Sequence, residues 1–140
     1  MKAGGDSTLS NINNSPAEYT QKNSNMSVEE YYNRGKERLN SENYNGAISD
    51  FTNVIRITPD FFPAYNVRGI SKRRLKDYSG AISDYTIAIE INPNYATAYY
   101  NRGNSKGNLK DYYGAISDYT KAIELDPNNA DAYYNRGVPK

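Results

Sequence analysis

The most regular ionisable residues in this chain are Arg34, Arg68, Arg102 and Arg136, each 34 places after the last, with Asp50, Asp84 and Asp118 following the first three at a constant interval. Four evenly spaced guanidinium groups could form a phosphate-binding stripe. Each of the first three is matched by an acid, however, and the formal charge is only +1, from 17 basic and 16 acidic residues. That balance gives no general field for steering nucleic acid or an anionic membrane. The pattern instead predicts that arginines and aspartates pair across packed helices as a repeated polar ladder. Each aspartate also follows a serine (Ser49-Asp50, Ser83-Asp84, Ser117-Asp118), but helical neighbours point about 100° apart, so these pairs form no dyad.

Histidine and cysteine are both absent. The commonest acid–base catalyst and neutral metal ligand is therefore missing, as are thiolate sites and disulfides. No Gly-x-x-x-x-Gly-Lys loop, Gly-x-Ser-x-Gly element or metal-ligand spacing occurs. Catalysis needs a convergent set of reactive groups in a pocket, so a non-enzymatic protein is expected, with no catalytic, cofactor-binding or metal-binding residues.

The elements that must position these side chains repeat. Pro59, Pro93 and Pro127 share the 34-residue spacing, as do Gly35, Gly69, Gly103 and Gly137, and the segment Gly-Ala-Ile-Ser-Asp recurs at 46–50, 80–84 and 114–118. The units are 28–61, 62–95 and 96–129, with a partial fourth at 130–140. Units two and three agree at 22 of 34 positions. A fixed period of this length marks a solenoid.

Each unit reads as two helices. Ala47, Ile48, Phe51, Val54 and Ile55 form one apolar stripe, repeated by Ala81, Ile82, Tyr85, Ala88, Ile89 and by Ala115, Ile116, Tyr119, Ala122, Ile123. Asn43, Asp77 and Asp111 stand where these second helices need a cap. Ser27 and Glu30 form a capping box for the first helix of unit one. Tyr31, Tyr65, Tyr99 and Tyr133 precede the recurring glycines by one turn. A glycine there destabilises a helix by about 1 kcal/mol, so its recurrence predicts a neighbouring helix packed too close for a side chain.

Residues 1–26 differ in composition, being rich in Ser, Asn, Gly and Thr, and read as a disordered tail. No window reaches the roughly 18 apolar residues of a membrane helix, and Met1–Ile12 holds no signal-peptide run. A soluble, cytoplasmic protein is expected. Pro139 breaks the first helix of the partial unit.

This 34-residue pattern resembles the tetratricopeptide repeat. The match rests on Tyr31, Tyr65, Tyr99 and Tyr133 at position 4, the glycines at position 8, Tyr44, Tyr78 and Tyr112 at position 17, Ala47, Ala81 and Ala115 at position 20, the aromatics Phe51, Tyr85 and Tyr119 at position 24, and the prolines at position 32. The arginines at position 7 depart from the family, which usually has leucine. The resemblance implies an all-α, right-handed α-solenoid of three full repeats and a partial fourth, folding from residue 27 onward.

In the family, first helices line a concave groove where partners bind. Carried over, the groove would comprise Tyr32, Lys36 and Asn40 from unit one, Asn66, Ile70, Arg73 and Arg74 from unit two, Tyr100, Asn104 and Asn108 from unit three, and Tyr134 from the partial unit. Asparagine amides match the donor and acceptor of an extended backbone, and tyrosine offers an apolar body with a polar tip. Arg73, Arg74 and Lys36 make half the groove basic, so a protein or extended peptide with acidic character is the expected partner. The family's carboxylate clamp for chaperone tails is not expected, because its five places hold Tyr32, Lys36, Val67, Thr97 and Asn101. Starting one unit later, only Asn101 agrees. The rival readings are self-assembly through uncapped, apolar repeat ends, or a fragment of a longer repeat array.

Overall fold

The computed structural model describes residues 25–137, and among them all regular structure is helical. Seven helices follow in order: α1 Val28–Asn40, α2 Tyr44–Ile57, α3 Phe62–Arg74, α4 Tyr78–Ile91, α5 Ala96–Asn108, α6 Tyr112–Leu125 and α7 Ala130–Gly137. The tail expected over 1–26 lies almost wholly outside the described residues, as does the helix break expected at Val138-Pro139-Lys140. Met26, which the composition grouped with the tail, packs against the cluster of Tyr31, Val54 and Ala64.

Local chemistry sets the boundaries. The Ser27 hydroxyl accepts from the Glu30 N–H at 3.0 Å, and the Glu30 carboxylate accepts from the Ser27 N–H at 2.8 Å, completing the capping box. Asn43, Asp77 and Asp111 accept from the N–H groups of Gly46, Gly80 and Gly114 at 3.1, 3.0 and 3.0 Å. These three residues also end the preceding helix. Their own N–H groups donate to the carbonyls of Arg38, Lys72 and Lys106, while Glu42, Lys76 and Lys110 donate to Leu39, Arg73 and Gly107. This paired pattern is a Schellman motif, which needs a left-handed residue after the helix. Glu42, Lys76 and Lys110 adopt it with φ of 64°, 67° and 67°, although none is glycine.

Within a unit the two helices meet at the glycines. A Cβ on Gly35, Gly69 or Gly103 would lie 2.6, 2.6 or 2.8 Å from the ring of Phe51, Tyr85 or Tyr119, the close approach that their recurrence predicted. Between units, a small residue of each incoming helix seats on the preceding second helix. Ala64 packs with Val54, Ala98 with Ala88 and Ile89, and Ala132 with Ala122 and Ile123. Successive first helices touch directly, α1 with α3 and α3 with α5, while second helices meet at most weakly. The stack therefore curves with its first helices on the inner side. This is an α-solenoid.

The two ends of the stack differ. The seats filled by the buried residues Ala64, Ala98 and Ala132 are occupied in α1 by Glu30, and the seats of buried Ser71 and Ser105 by Glu37, both exposed. A helix packed onto α1 would bury two carboxylates against an apolar surface, at a cost of several kcal/mol each. The expectation of two apolar, mutually complementary ends therefore fails at the N-terminal one.

Candidate functional site

The arginine–aspartate pairing takes the form of a ladder. Arg34 donates through Nε and Nη2 to both oxygens of Asp50 at 3.0 and 2.8 Å. Arg68 repeats this on Asp84 at 2.9 and 2.8 Å, and Arg102 on Asp118 at 2.8 Å twice. A second cation one turn on, Arg38, Lys72 or Lys106, approaches the same carboxylate at 3.1 Å. Fork-to-carboxylate pairing is the strong form of this interaction, and the Asp118 hydrogen bonds raise the pKa of Arg102 further. Each arginine from Arg68 on also reaches back one unit. Arg68 donates to Thr52 and Arg102 to Thr86 at 3.2 Å, and Arg136 to Thr120 at 3.4 Å. The carboxylates are buried, so these cations serve the fold.

The inner face holds most of the residues assigned to the groove. The Tyr32 ring packs edge-on to Phe61 at 5.2 Å and carries Lys36 Nζ at 4.7 Å. Arg73 Nε donates to the Asn108 side chain at 2.8 Å. Asn104 accepts from the Tyr119 hydroxyl at 2.5 Å and from Asn135 at 3.4 Å, and Asn135 also donates to the Tyr100 hydroxyl at 2.9 Å. Ile70 is half-buried, and Asn40 and Tyr134 are exposed. Two residues sit differently from the rest. Asn66 is buried and accepts from Asn101 at 3.0 Å, so it joins helices rather than presenting its amide. Arg74 is exposed and stacks on Tyr44 of α2 at 4.9 Å.

Several contributors were missed by position-by-position transfer. Tyr95, just before α5, meets Phe62 edge-on at 5.0 Å. Burial raises its pKa, with Tyr32 raising it further and a hydrogen bond to Asn66 opposing. Tyr119 is buried in the core, as its apolar stripe predicts, and its hydroxyl also reaches Asn104. The bonds Arg73–Asn108, Asn66–Asn101 and Tyr100–Asn135 all span 35 residues. Adjacent first helices are thus offset by one residue from the 34-residue period. The recurrence of Asn33, Asn101 and Asn135 was the available signal for part of this.

Beneath this face lies an unusual pair. The Tyr85 and Ser105 hydroxyls are buried and neighbour one another, yet neither makes a hydrogen bond of adequate geometry. Burial pushes the Tyr85 pKa far up, against the opposing pull of Arg73 and Ser105. Burial likewise lifts Tyr119 to about 12, with Tyr100 adding to the rise. Among the described residues, no three acidic side chains gather as a metal site, and no helix is long and apolar enough to cross a membrane.

Helix pairs, glycine seats and period together define a tetratricopeptide-type solenoid. The family model for the tetratricopeptide repeat matches residues 96–129, and a second TPR repeat model matches 71–110. Residues 71–129 of the chain thus carry tetratricopeptide repeats. No curated protein matches it in sequence. Among solved structures, it is similar to the first TPR domain of Spaghetti (RPAP3) bound to HSP90 peptide SRMEEVD, with 28% identity, 78% of this chain and 86% of that one covered, and a TM-score of 0.76. The Arabidopsis OM64 TPR domain is 25% identical over 76% of this chain and 88% of that chain, with a TM-score of 0.75. The TPR2B domain of yeast Sti1, in a complex with pHsp70, is 26% identical over 78% and 87%, with a TM-score of 0.71.

Proposed function

We infer that this chain is a non-enzymatic protein-interaction scaffold that holds an extended, acidic segment of a partner protein along the inner face of its first helices. The contrast between two sets of cations carries the reading. Arg34, Arg38, Arg68, Lys72, Arg102 and Lys106 each lie within 3.1 Å of a buried carboxylate. Lys36 and Arg73 on this face, and Arg74 beside it, form no ion pair among the described residues; their contacts include a tyrosine ring, an asparagine oxygen and the Tyr44 ring of α2. A carboxylate arriving from a partner would find cations already positioned, without an internal acid to displace. Tyr100, Asn104 and Asn108 supply backbone-matching groups beside them.

The peptide-bound Spaghetti domain and the Sti1 complex lend support to a peptide ligand. The chaperone-tail clamp itself is not part of the proposal, because Tyr32, Lys36, Val67, Thr97 and Asn101 stand in its places. Neither a cofactor, nucleic acid nor a membrane is needed, and the cytoplasm is the proposed location. Association of copies through repeat ends is the lesser reading, since Glu30 and Glu37 oppose it at one end.

The test is selection of short peptides from a random library by the full chain and by a Tyr100→Ala/Asn104→Ala/Arg73→Ala variant, both first shown to be helical by circular dichroism. Acid-containing peptides should be enriched by the wild type, lost by the variant, and weakened by added salt. Recovery of the same peptides by both proteins would move the site off this face. Enrichment without acidic residues would remove the role assigned to the cations.

A further inference from the structure

The three cations left without an acid are held in different ways. Lys36 rests on the Tyr32 ring and Arg74 on the Tyr44 ring, contacts that set no hydrogen-bond direction. Arg73 is held by one directed bond. Its Nε donates to the Asn108 side-chain oxygen at 2.8 Å, across the junction of α3 and α5. Among the described residues its two terminal nitrogens make no hydrogen bond and meet no carboxylate. The ladder arginines differ, since Arg68 gives both Nε and Nη2 to Asp84, and Arg102 gives both to Asp118. Arg73 is half-buried, and its charge opposes the rise that burial causes in both the Tyr85 and Tyr119 hydroxyls. Its guanidinium therefore lies over the seam between units two and three.

Fixing a long side chain on a ligand costs rotamer freedom, and Asn108 has already removed much of that freedom from Arg73. Because the Asn108 oxygen is neutral, the hold leaves the positive charge uncancelled. The Asn108 amide nitrogen makes no hydrogen bond among the described residues, so it can donate beside the fork. Ile70, one turn earlier on the same side of α3 and half-buried, adds an apolar flank. We propose that Arg73 is the anchor of the inner face, preset by Asn108 to take one side-chain carboxylate of a passing chain in an end-on, two-bond fork. This rests on the scaffold reading above and narrows its acidic contact to one residue. A side-chain carboxylate is assigned because α3 has α1 on one side and α5 on the other, so a bound chain can continue past Arg73 both ways. The neighbouring cations Lys72 and Lys106 offer no equal site, since Asp84 and Asp118 hold them at 3.1 Å.

The probes are acetate and two short peptides, titrated into the full chain at constant ionic strength. Binding is read by NMR, from the arginine Nε–Hε and asparagine side-chain amide signals. Acetate should shift the Arg73 signal saturably, with the Asn108 amide following. A peptide with one internal glutamate and both ends blocked should do the same. Its partner, with glutamine in that place and a free C-terminus, should not. Arg73→Lys keeps the charge but loses the fork, and should weaken the glutamate peptide about tenfold, read at the Asn108 amide. Asn108→Asp gives Arg73 an internal acid and should abolish binding, read at the Arg73 signal. Arg56→Ala removes one positive charge from α2, where Arg56 bonds Asn53, and should change nothing. Circular dichroism confirms the fold of each variant. A missing Arg73 shift overturns the proposal, as does undiminished binding by Arg73→Lys or by Asn108→Asp. Binding of the free-ended peptide alone would move the site to a chain terminus and overturn the side-chain assignment. The scaffold reading fails separately. A saturable Arg73 shift beside a peptide selection that yields nothing would keep the anchor and remove the scaffold. Acidic peptides held equally by Arg73→Lys would keep the scaffold and remove the anchor.

Discussion

Phe51 and Tyr85 occupy the same seat in successive units, but only Tyr85 carries a hydroxyl into the interior, where it lies beside the Ser105 hydroxyl without a well-formed hydrogen bond. An unsatisfied buried hydroxyl opposes folding, so Tyr85→Phe should leave stability at neutral pH unchanged or raise it by about 1 kcal/mol. Tyr119→Phe should do the reverse, because the Tyr119 hydroxyl donates to Asn104. The same residues set the alkaline response. Both tyrosines titrate near pH 10 when unfolded, and both are raised in the fold, Tyr119 to about 12. Below pH 10 they are neutral in both states and their contribution is complete. As pH rises through 10 the unfolded chain ionises first, so stability falls until the folded values are passed. Thermal melts at pH 8 and pH 11 should show the decline, and Tyr85→Phe should make it shallower. Equal declines in both proteins would remove Tyr85 from this account.

At the scale of the helix pair, the ladder and the linkers can be tested separately. Asp84→Asn strands Arg68 and Lys72, whose side chains are 16% and 23% exposed, whereas Asp50→Asn strands Arg34 and Arg38 at 30% and 31%. Water shields the second pair better, so Asp84→Asn should destabilise by about 2–3 kcal/mol and Asp50→Asn by about 1 kcal/mol. Urea midpoints would give the order. Lys76 and Lys110 hold a left-handed backbone that disfavours any side chain. Lys76→Gly should therefore stabilise by about 0.5–1 kcal/mol and raise the melting temperature. This linker strain could not be read from the sequence, because Glu42, Lys76 and Lys110 give no glycine signal. The caps, the glycine seats and the ladder could be read, since each depends on residue types at a fixed spacing. The inner face was legible only in part. Aligning units at 34 places like residues in register, while the bonds between first helices run at 35, so Asn66 and Asn101 became a buried pair that no single position announced.

For the whole molecule, contacts run almost entirely between helices adjacent in sequence, so stability is a sum of unit and nearest-neighbour terms. Such a stack opens from its ends. Amide exchange should be slowest in α3 to α5 and fastest in α7, which is eight residues long and, among the described residues, packs mainly on α6. Uniform protection from α1 to α7 would mean that the stack opens as one body.

The ladder also bears on how such a gene can change length. Every full unit encodes its own arginine, its own aspartate and a second cation, and borrows from its neighbour only a threonine hydroxyl that the neighbour's copy also encodes. A duplication of the segment for residues 62–95 would therefore arrive charge-balanced, with its seats already matched on both sides. Out-of-frame or partial duplications would leave a buried aspartate or an arginine without its mate. Recombination in this gene is thus filtered toward whole multiples of 34 codons, and the 22 positions shared by units two and three are what an event of that kind would leave behind.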